Sequence, residues 1–187
     1  MRVIAGEFRG RKLLPPVGDT TRPITDRAKQ SIFDVLSPRI ESAAVYDCFA
    51  GTGSMGLECL SRGAGFVTFF EIDRAAISRL HGNIATLGVK DRSSVIAVDL
   101  FKWIKSTPPP PRQIDLIFLD PPYPFLKDHP EDLQRLANTL ATQHLATHGL
   151  LIFRHDRRDE IDLPGLQAGD CRDYGNMRVE IMNARPG

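Results

Sequence analysis

The sequence predicts an α/β fold with a seven-stranded, mostly parallel sheet, and three observations carry that expectation. Short β-branched or aromatic runs alternate with segments of helical periodicity through residues 25–154. A glycine-rich turn, "AGTGSMG" (50–56), joins the first such run to a helix. The tail "RDYGNMRVEIMN" (172–183) reads as two strands around Gly175-Asn176, a hairpin signal. Alternation of this kind implies right-handed crossovers and helices on both faces of the sheet. The hairpin adds an antiparallel edge.

Each element follows from local pattern. "TDRAKQSIFDVL" (25–36) places Ala28, Ile32, Phe33 and Leu36 on one helical face. "AVYDCF" (44–49) is a short apolar strand, and "LECLSR" (57–62) is helical. "FVTFFEI" (66–72) is a second strand. Ile77, Leu80, Ile84 and Leu87 recur at helix spacing, with Gly88 as the stop. A third strand occupies 94–98. The fourth, "IDLIFL" (114–119), follows the stiff loop Pro108–Pro111. Residues 130–146 read as a helix with Leu133, Leu136, Leu140 and Leu145 inward, and "GLLIFR" (149–154) as the fifth strand.

At 187 residues, with no repeat or linker, the chain is expected to form one domain. Residues 1–20 are its basic arm and 21–187 its core. The 42% hydrophobic and 25% charged fractions are ordinary for a soluble protein. No apolar run approaches the ~18–20 residues that cross a bilayer, and the start lacks the apolar core of a secretory signal. A cytoplasmic monomer with no membrane partner is the expectation. Three cysteines without a CxxC pair argue against a disulfide framework or a zinc site. His144 and His148 have the spacing of a helical metal pair but no HExxH pattern, so no metal is expected.

Net charge is +1, which gives no global field for nucleic acid. Within residues 1–12, Arg2, Arg9, Arg11 and Lys12 against Glu7 give +3, so the rest carries −2. Such an arm fits phosphate contact, and equally an ordinary solvated hairpin. Arg9, Arg11 and Lys12 are the candidate RNA contacts.

Gly51, Gly53 and Gly56 form a GxGxxG turn whose backbone can approach a ligand at a helix start. Glu71, twenty residues after Gly51 at a strand end, can accept both ribose hydroxyls of a nucleoside. Asp47 sits just before the turn, where negative charge is awkward beside a pyrophosphate. S-Adenosylmethionine carries a sulfonium and an ammonium and no phosphate, and suits that acidic strand end better. Asp99 is placed to accept from adenine's amino group or to cap the helix "LFKWIKS", and the two roles are compatible. Phe49, Ala50, Ile72 and Leu100 flank these positions and join the candidate cofactor contacts.

"DPPY" (120–123) ends the fourth strand beside the first, where an open α/β sheet binds ligands. Pro121 and Pro122 stiffen the loop and leave carbonyls to accept. Asp120 and the Pro121 carbonyl are a rigid pair of acceptors, and Tyr123 offers a face on which a base can stack. Two acceptors and a ring suit an exocyclic NH₂. Holding both N–H groups turns the nitrogen lone pair toward the sulfonium methyl. Asp120, Pro121, Pro122 and Tyr123 are therefore the candidate catalytic set.

In order along the chain, "GRKLLPP", "RPITDRAKQSIFDVL", "DCFAGTGSMGLECLSRGA", "FFEIDR" and "FLDPPY" resemble the RsmD family of class I, Rossmann-like methyltransferases. The resemblance implies methylation of the 2-amino group of a guanine, conventionally number 966, in 16S ribosomal RNA, within the small subunit or an assembly intermediate. It implies that Asp47, Gly51 and Gly53 line the methionine end of the cofactor, Glu71 the ribose and Asp99 the adenine. It also makes Arg22 and Asp26 cofactor-side contacts. Ile24, Ala28, Lys29 and Gln30 depart from the family's pattern there. DNA adenine 6-amino methylation is the alternative, although no segment here is long enough for a target-recognition module. An NAD-dependent oxidoreductase and a non-catalytic nucleoside-binding module remain competing classes.

Overall fold

A computed structural model describes residues 1–16, 24–122 and 124–185. Within them β1 (Ala44–Cys48), β2 (Phe66–Glu71), β3 (Ser93–Ala97), β4 (Ile114–Leu119), β5 (Leu145–Asp156), β6 (Leu166–Tyr174) and β7 (Met177–Ala184) form one sheet. Its order is β3-β2-β1-β4-β5-β7-β6. β1 to β5 pair in parallel, and β7 lies antiparallel between β5 and β6. The chain leaves β1 toward β2 and β3, then returns to β4 on the other side. The strand order reverses there, and a crevice opens at the strands' carboxyl ends.

Alternation along the strands fills both faces, as a covered parallel sheet requires. Val45, Leu116 and Phe118 pack on one side with Ile32, Phe33 and Leu36 of α1 (Asp26–Leu36), Leu57 of α2 (Ser54–Ser61) and Leu80 and Ile84 of α3 (Arg74–Leu87). Tyr46, Cys48, Ile117 and Leu119 pack on the other with Leu100 and Ile104 of α4 (Leu100–Ser106), Leu126 of α5 (Pro124–Asp128) and Leu133 and Leu136 of α6 (Pro130–Thr139). Thr25 caps α1 by accepting from Ala28 N (3.2 Å), and Asp73 caps α3 by accepting from Ala76 N (2.7 Å). Gly88 ends α3 in the left-handed conformation, as its position suggests.

The helix expected over 130–146 is shorter. It stops at Thr139, a π turn spans Leu140–His144, and β5 begins at Leu145. Leu145 pairs with Ile114 ahead of a bulge, so its apolar side chain is buried from a strand and not from a helix. His144 and His148 consequently share no helix face. His144 is fully buried beside Tyr46 and Trp103, and His148 is exposed on β5. Burial pushes the His144 pKa down, and neither ring nitrogen has a hydrogen-bond partner among the described residues.

The arm folds back on itself and docks. Val3 N donates to Arg11 O and Leu13 N to Met1 O, both at 3.0 Å, and Val3 and Leu13 are buried. Ile4 N and Ala5 N donate to the Glu58 carboxylate (2.8 and 3.0 Å). Glu58 is fully buried and also pairs with Lys29 (3.1 Å) and Arg62 (2.9 Å). One carboxylate thus ties the arm to α1 and α2. Arg9, Arg11 and Lys12 stay exposed on its outer side.

Candidate active site

The turns that follow β1, β2, β3 and β4 surround a cavity of about 610 Å³. After β1 the chain turns sharply. Phe49 takes φ 61°, a conformation costly for a side chain other than glycine and typical of sites that need a special turn. Ala50 N then donates to Phe70 O (2.9 Å) and Gly51 N to Glu71 Oε2 (2.7 Å). Gly53, at φ 84°, precedes α2, and a Cβ there would stand 2.4 Å from Leu80 Cδ1. It shapes the turn whose neighbouring residues Gly51, Thr52 and Ser54 line the cavity.

Asp47, one residue from the end of β1, is buried and its Oδ2 accepts from Gly56 N (2.8 Å). Burial pushes its pKa up to about 7, with Asp120 and Glu71 adding to the rise against the Gly56 hydrogen bond. Glu71 Oε1 accepts from Ile72 N and Asp73 N (2.8 and 2.9 Å), so three backbone N–H groups fix that carboxylate. Ile72 stands exposed at the rim. Asp99 caps α4 through Phe101 N (3.0 Å) and still lines the cavity, as does Leu100.

Asp120, Pro121 and Pro122 form the wall after β4. The Pro122 carbonyl accepts from Phe125 N (2.8 Å) as α5 opens, so the two proline carbonyls are not equivalent. Asp120 is gripped by Arg154 of β5: Nε donates to Oδ1 (2.7 Å) and Nη2 to Oδ2. Sequence reading missed Arg154, because nothing local marks a strand-end arginine 34 residues away as a partner. It also missed three of the four described phenylalanines on the lining, Phe70, Phe101 and Phe125. Phe101 stacks on Phe125 (4.7 Å, 9°) and tilts against Phe49 (5.6 Å).

Asp26 is not among the described residues that line the cavity. It sits in the first turn of α1 and pairs with Arg2 at the surface (2.8 Å), while Ile24 takes a place on the wall. Lys29 is buried in the Glu58 cluster, and burial lowers its pKa against the opposing pull of Glu58. Arg22 and Tyr123 lie outside the described residues.

Among the described lining side chains, Asp47, Glu71, Asp73, Asp99 and Asp120 stand against one guanidinium, Arg154, which is committed to Asp120. A pyrophosphate would meet net repulsion in such a cavity, and a cation without phosphate would relieve it. The donor set and the aromatic wall fit S-adenosylmethionine.

The family model described as Conserved hypothetical protein 95 matches residues 1–183. The Bacillus subtilis protein named "Putative rRNA methyltransferase YlbH" is 35% identical over 165 residues, which are 88% of this chain and 86% of that protein. Ribosomal RNA small subunit methyltransferase D of Escherichia coli is 40% identical over 125 residues, which are 66% of this chain and 60% of that protein. The solved structure of yhhF from Escherichia coli superposes with a TM-score of 0.85 at 28% identity, covering 100% of this chain and 99% of that one. With the family matched across nearly its whole length, on a sheet whose switch point opens into an acidic cavity, this chain belongs to the Conserved hypothetical protein 95 family, the RsmD-type methyltransferases.

Proposed function

We propose that the protein methylates the exocyclic 2-amino group of one guanine in 16S ribosomal RNA, within the small subunit or its assembly intermediate, acting as a cytoplasmic monomer. The observation that carries the reading is the excess of carboxylates around a cavity whose far wall is the stiff Asp120-Pro121-Pro122 loop. S-Adenosylmethionine, when bound, supplies an electrophilic methyl group on a sulfonium sulfur and departs as the neutral thioether. Asp47 and the Gly51 turn bind its cationic end, Glu71 the ribose, and Asp99 with Ile72 the base. Asp120 and the Pro121 carbonyl hold the two N–H groups of the target amine, and Tyr123 is assigned to its ring. An Asp120 oxygen holds the proton that the amine loses once its new N–C bond has formed. Phe49, Phe101 and Phe125 keep water from the wall. Arg9, Arg11 and Lys12 hold RNA phosphates.

The test uses tritiated S-adenosylmethionine, the purified protein and small ribosomal subunits from cells lacking the enzyme, followed by nucleoside analysis. Label in 2-methylguanosine at one site is the expected result. Label in DNA adenine with none in ribosomal RNA would overturn the substrate assignment. Any labelling should fall far more in Asp120→Ala than cofactor affinity does.

A further inference from the structure

The cavity's carboxylates are held in two different ways. Asp47 accepts from Gly56 N, Glu71 from Gly51, Ile72 and Asp73 N, and Asp99 from Phe101 N. Neither of the two residues after Asp120 can hold it this way, since Pro121 and Pro122 have no N–H. The fold provides a side chain in their place. β4 and β5 pair with Leu119 opposite Phe153, so Asp120, where the chain leaves β4, follows beside Arg154, which is still in β5. The guanidinium meets both carboxylate oxygens, and its Nη1 lies 3.9 Å from Met177 Sδ. Arg154 is itself paired with Val179 on β7, one residue past the last β4–β5 pair, so its backbone is held from the β7 side. The two side chains are only 18% and 22% exposed.

Resting on the reading of Asp120 as an acceptor for the target amine, we infer that Arg154 is the positioning residue of the methyl-transfer step, orienting the Asp120 carboxylate toward that amine. A carboxylate has about four lone-pair sites, and the fork uses one on each oxygen. A site on each oxygen is left to accept an N–H from the substrate. The planar fork also fixes rotation of the carboxylate, which a lysine's point charge does not. The pair is neutral overall, so the role is geometric. A carboxylate free to rotate would meet the amine at the wrong angle.

The experiment compares Arg154→Ala, Arg154→Lys, Asp120→Ala and the double variant in the labelled assay on small subunits, with S-adenosylhomocysteine affinity measured by calorimetry. Arg154→Ala is expected to lower kcat about 100-fold, with KM for the subunit and ligand affinity changed by less than about threefold. Arg154→Lys recovers less than about a tenth of the lost rate, and millimolar guanidinium restores part of the Arg154→Ala activity. The double variant loses no more than Asp120→Ala alone. Full kcat in Arg154→Ala, additive losses, or complete recovery by lysine would each overturn the inference. Should Arg154→Ala fail to fold, the rate of Arg154→Lys decides: full activity overturns the inference and a large loss supports it. If the wild-type protein labels no guanine, the functional reading falls and takes this one with it. If it labels guanine and Arg154→Ala does so equally, only this inference falls.

Discussion

Between pH 4 and 7 the unfolded chain gives up the Asp47 proton that the folded chain keeps, because burial lifts the folded pKa from 3.8 to about 7. Folding therefore costs progressively more as pH rises through that window, and the penalty persists above it. Asp47→Asn removes the penalty. Without ligand, the variant is expected to be about 1–3 kcal/mol more stable than wild type at pH 8 and nearly equal at pH 4, read by urea unfolding. Its affinity for S-adenosylhomocysteine is expected to fall about 10–100-fold in calorimetry, through loss of a charge-assisted hydrogen bond. A variant that gains no stability at pH 8 would show that Asp47 is not strained. Asp47, Glu71, Asp99 and Asp120 are legible in the sequence because each interrupts or ends an apolar strand. Arg154 is not, since its significance lies in the register between two strands. Asp26, a cofactor-side contact only by resemblance, pairs with Arg2 in the first turn of α1, where an acidic residue is favoured.

At the level of elements, the strands and the first helices follow from periodicity, and the error falls where two periodicities agree. Leu133, Leu136, Leu140 and Leu145 continue a helical stripe, yet Leu145 also alternates correctly as a strand residue, and the pairing with Ile114 decides. The docking of the arm was equally hidden, because nothing in the local pattern marks Glu58 as a buried anchor. In the structure it is fully buried and binds Lys29, Arg62 and two arm N–H groups. Glu58→Gln leaves Lys29 buried without its counter-charge, and is expected to destabilise the protein by about 3–5 kcal/mol. The arm should then be cut by protease faster than the core. Combining it with Lys29→Met should restore much of the stability; no recovery would mean that the arm contacts, not the buried charge, dominate.

Across the whole molecule, the fold class and the location of the cavity follow from the order of strands and helices, whereas the surface that meets RNA does not. Arg9, Arg11 and Lys12 remain exposed on an arm anchored by the buried Val3 and Leu13, so they can be changed without touching its core contacts. Replacing all three with Gln is expected to raise the apparent KM for the subunit. It should also flatten the dependence of log KM on log salt by about 0.7 for each lost phosphate contact, if the RNA there is single-stranded. An unchanged slope with a lowered melting temperature would make the arm purely structural.

The placement of β7 bears on how the protein can be made. It is the last strand in sequence, yet it lies inside the sheet, covering the edge of β5 and carrying the Met177 that touches Arg154. While a ribosome is still reading the codons for residues 157–176, β1 to β5 and the acidic cavity already exist as chain, but the edge of β5 around Leu151 and Phe153 has no neighbour. An unpaired apolar edge is the surface on which strands of other chains add. Nascent chains stalled or truncated before Met177 thus carry all the cavity's carboxylates and an adhesive flank. Such fragments would accumulate as aggregates and not as a smaller enzyme.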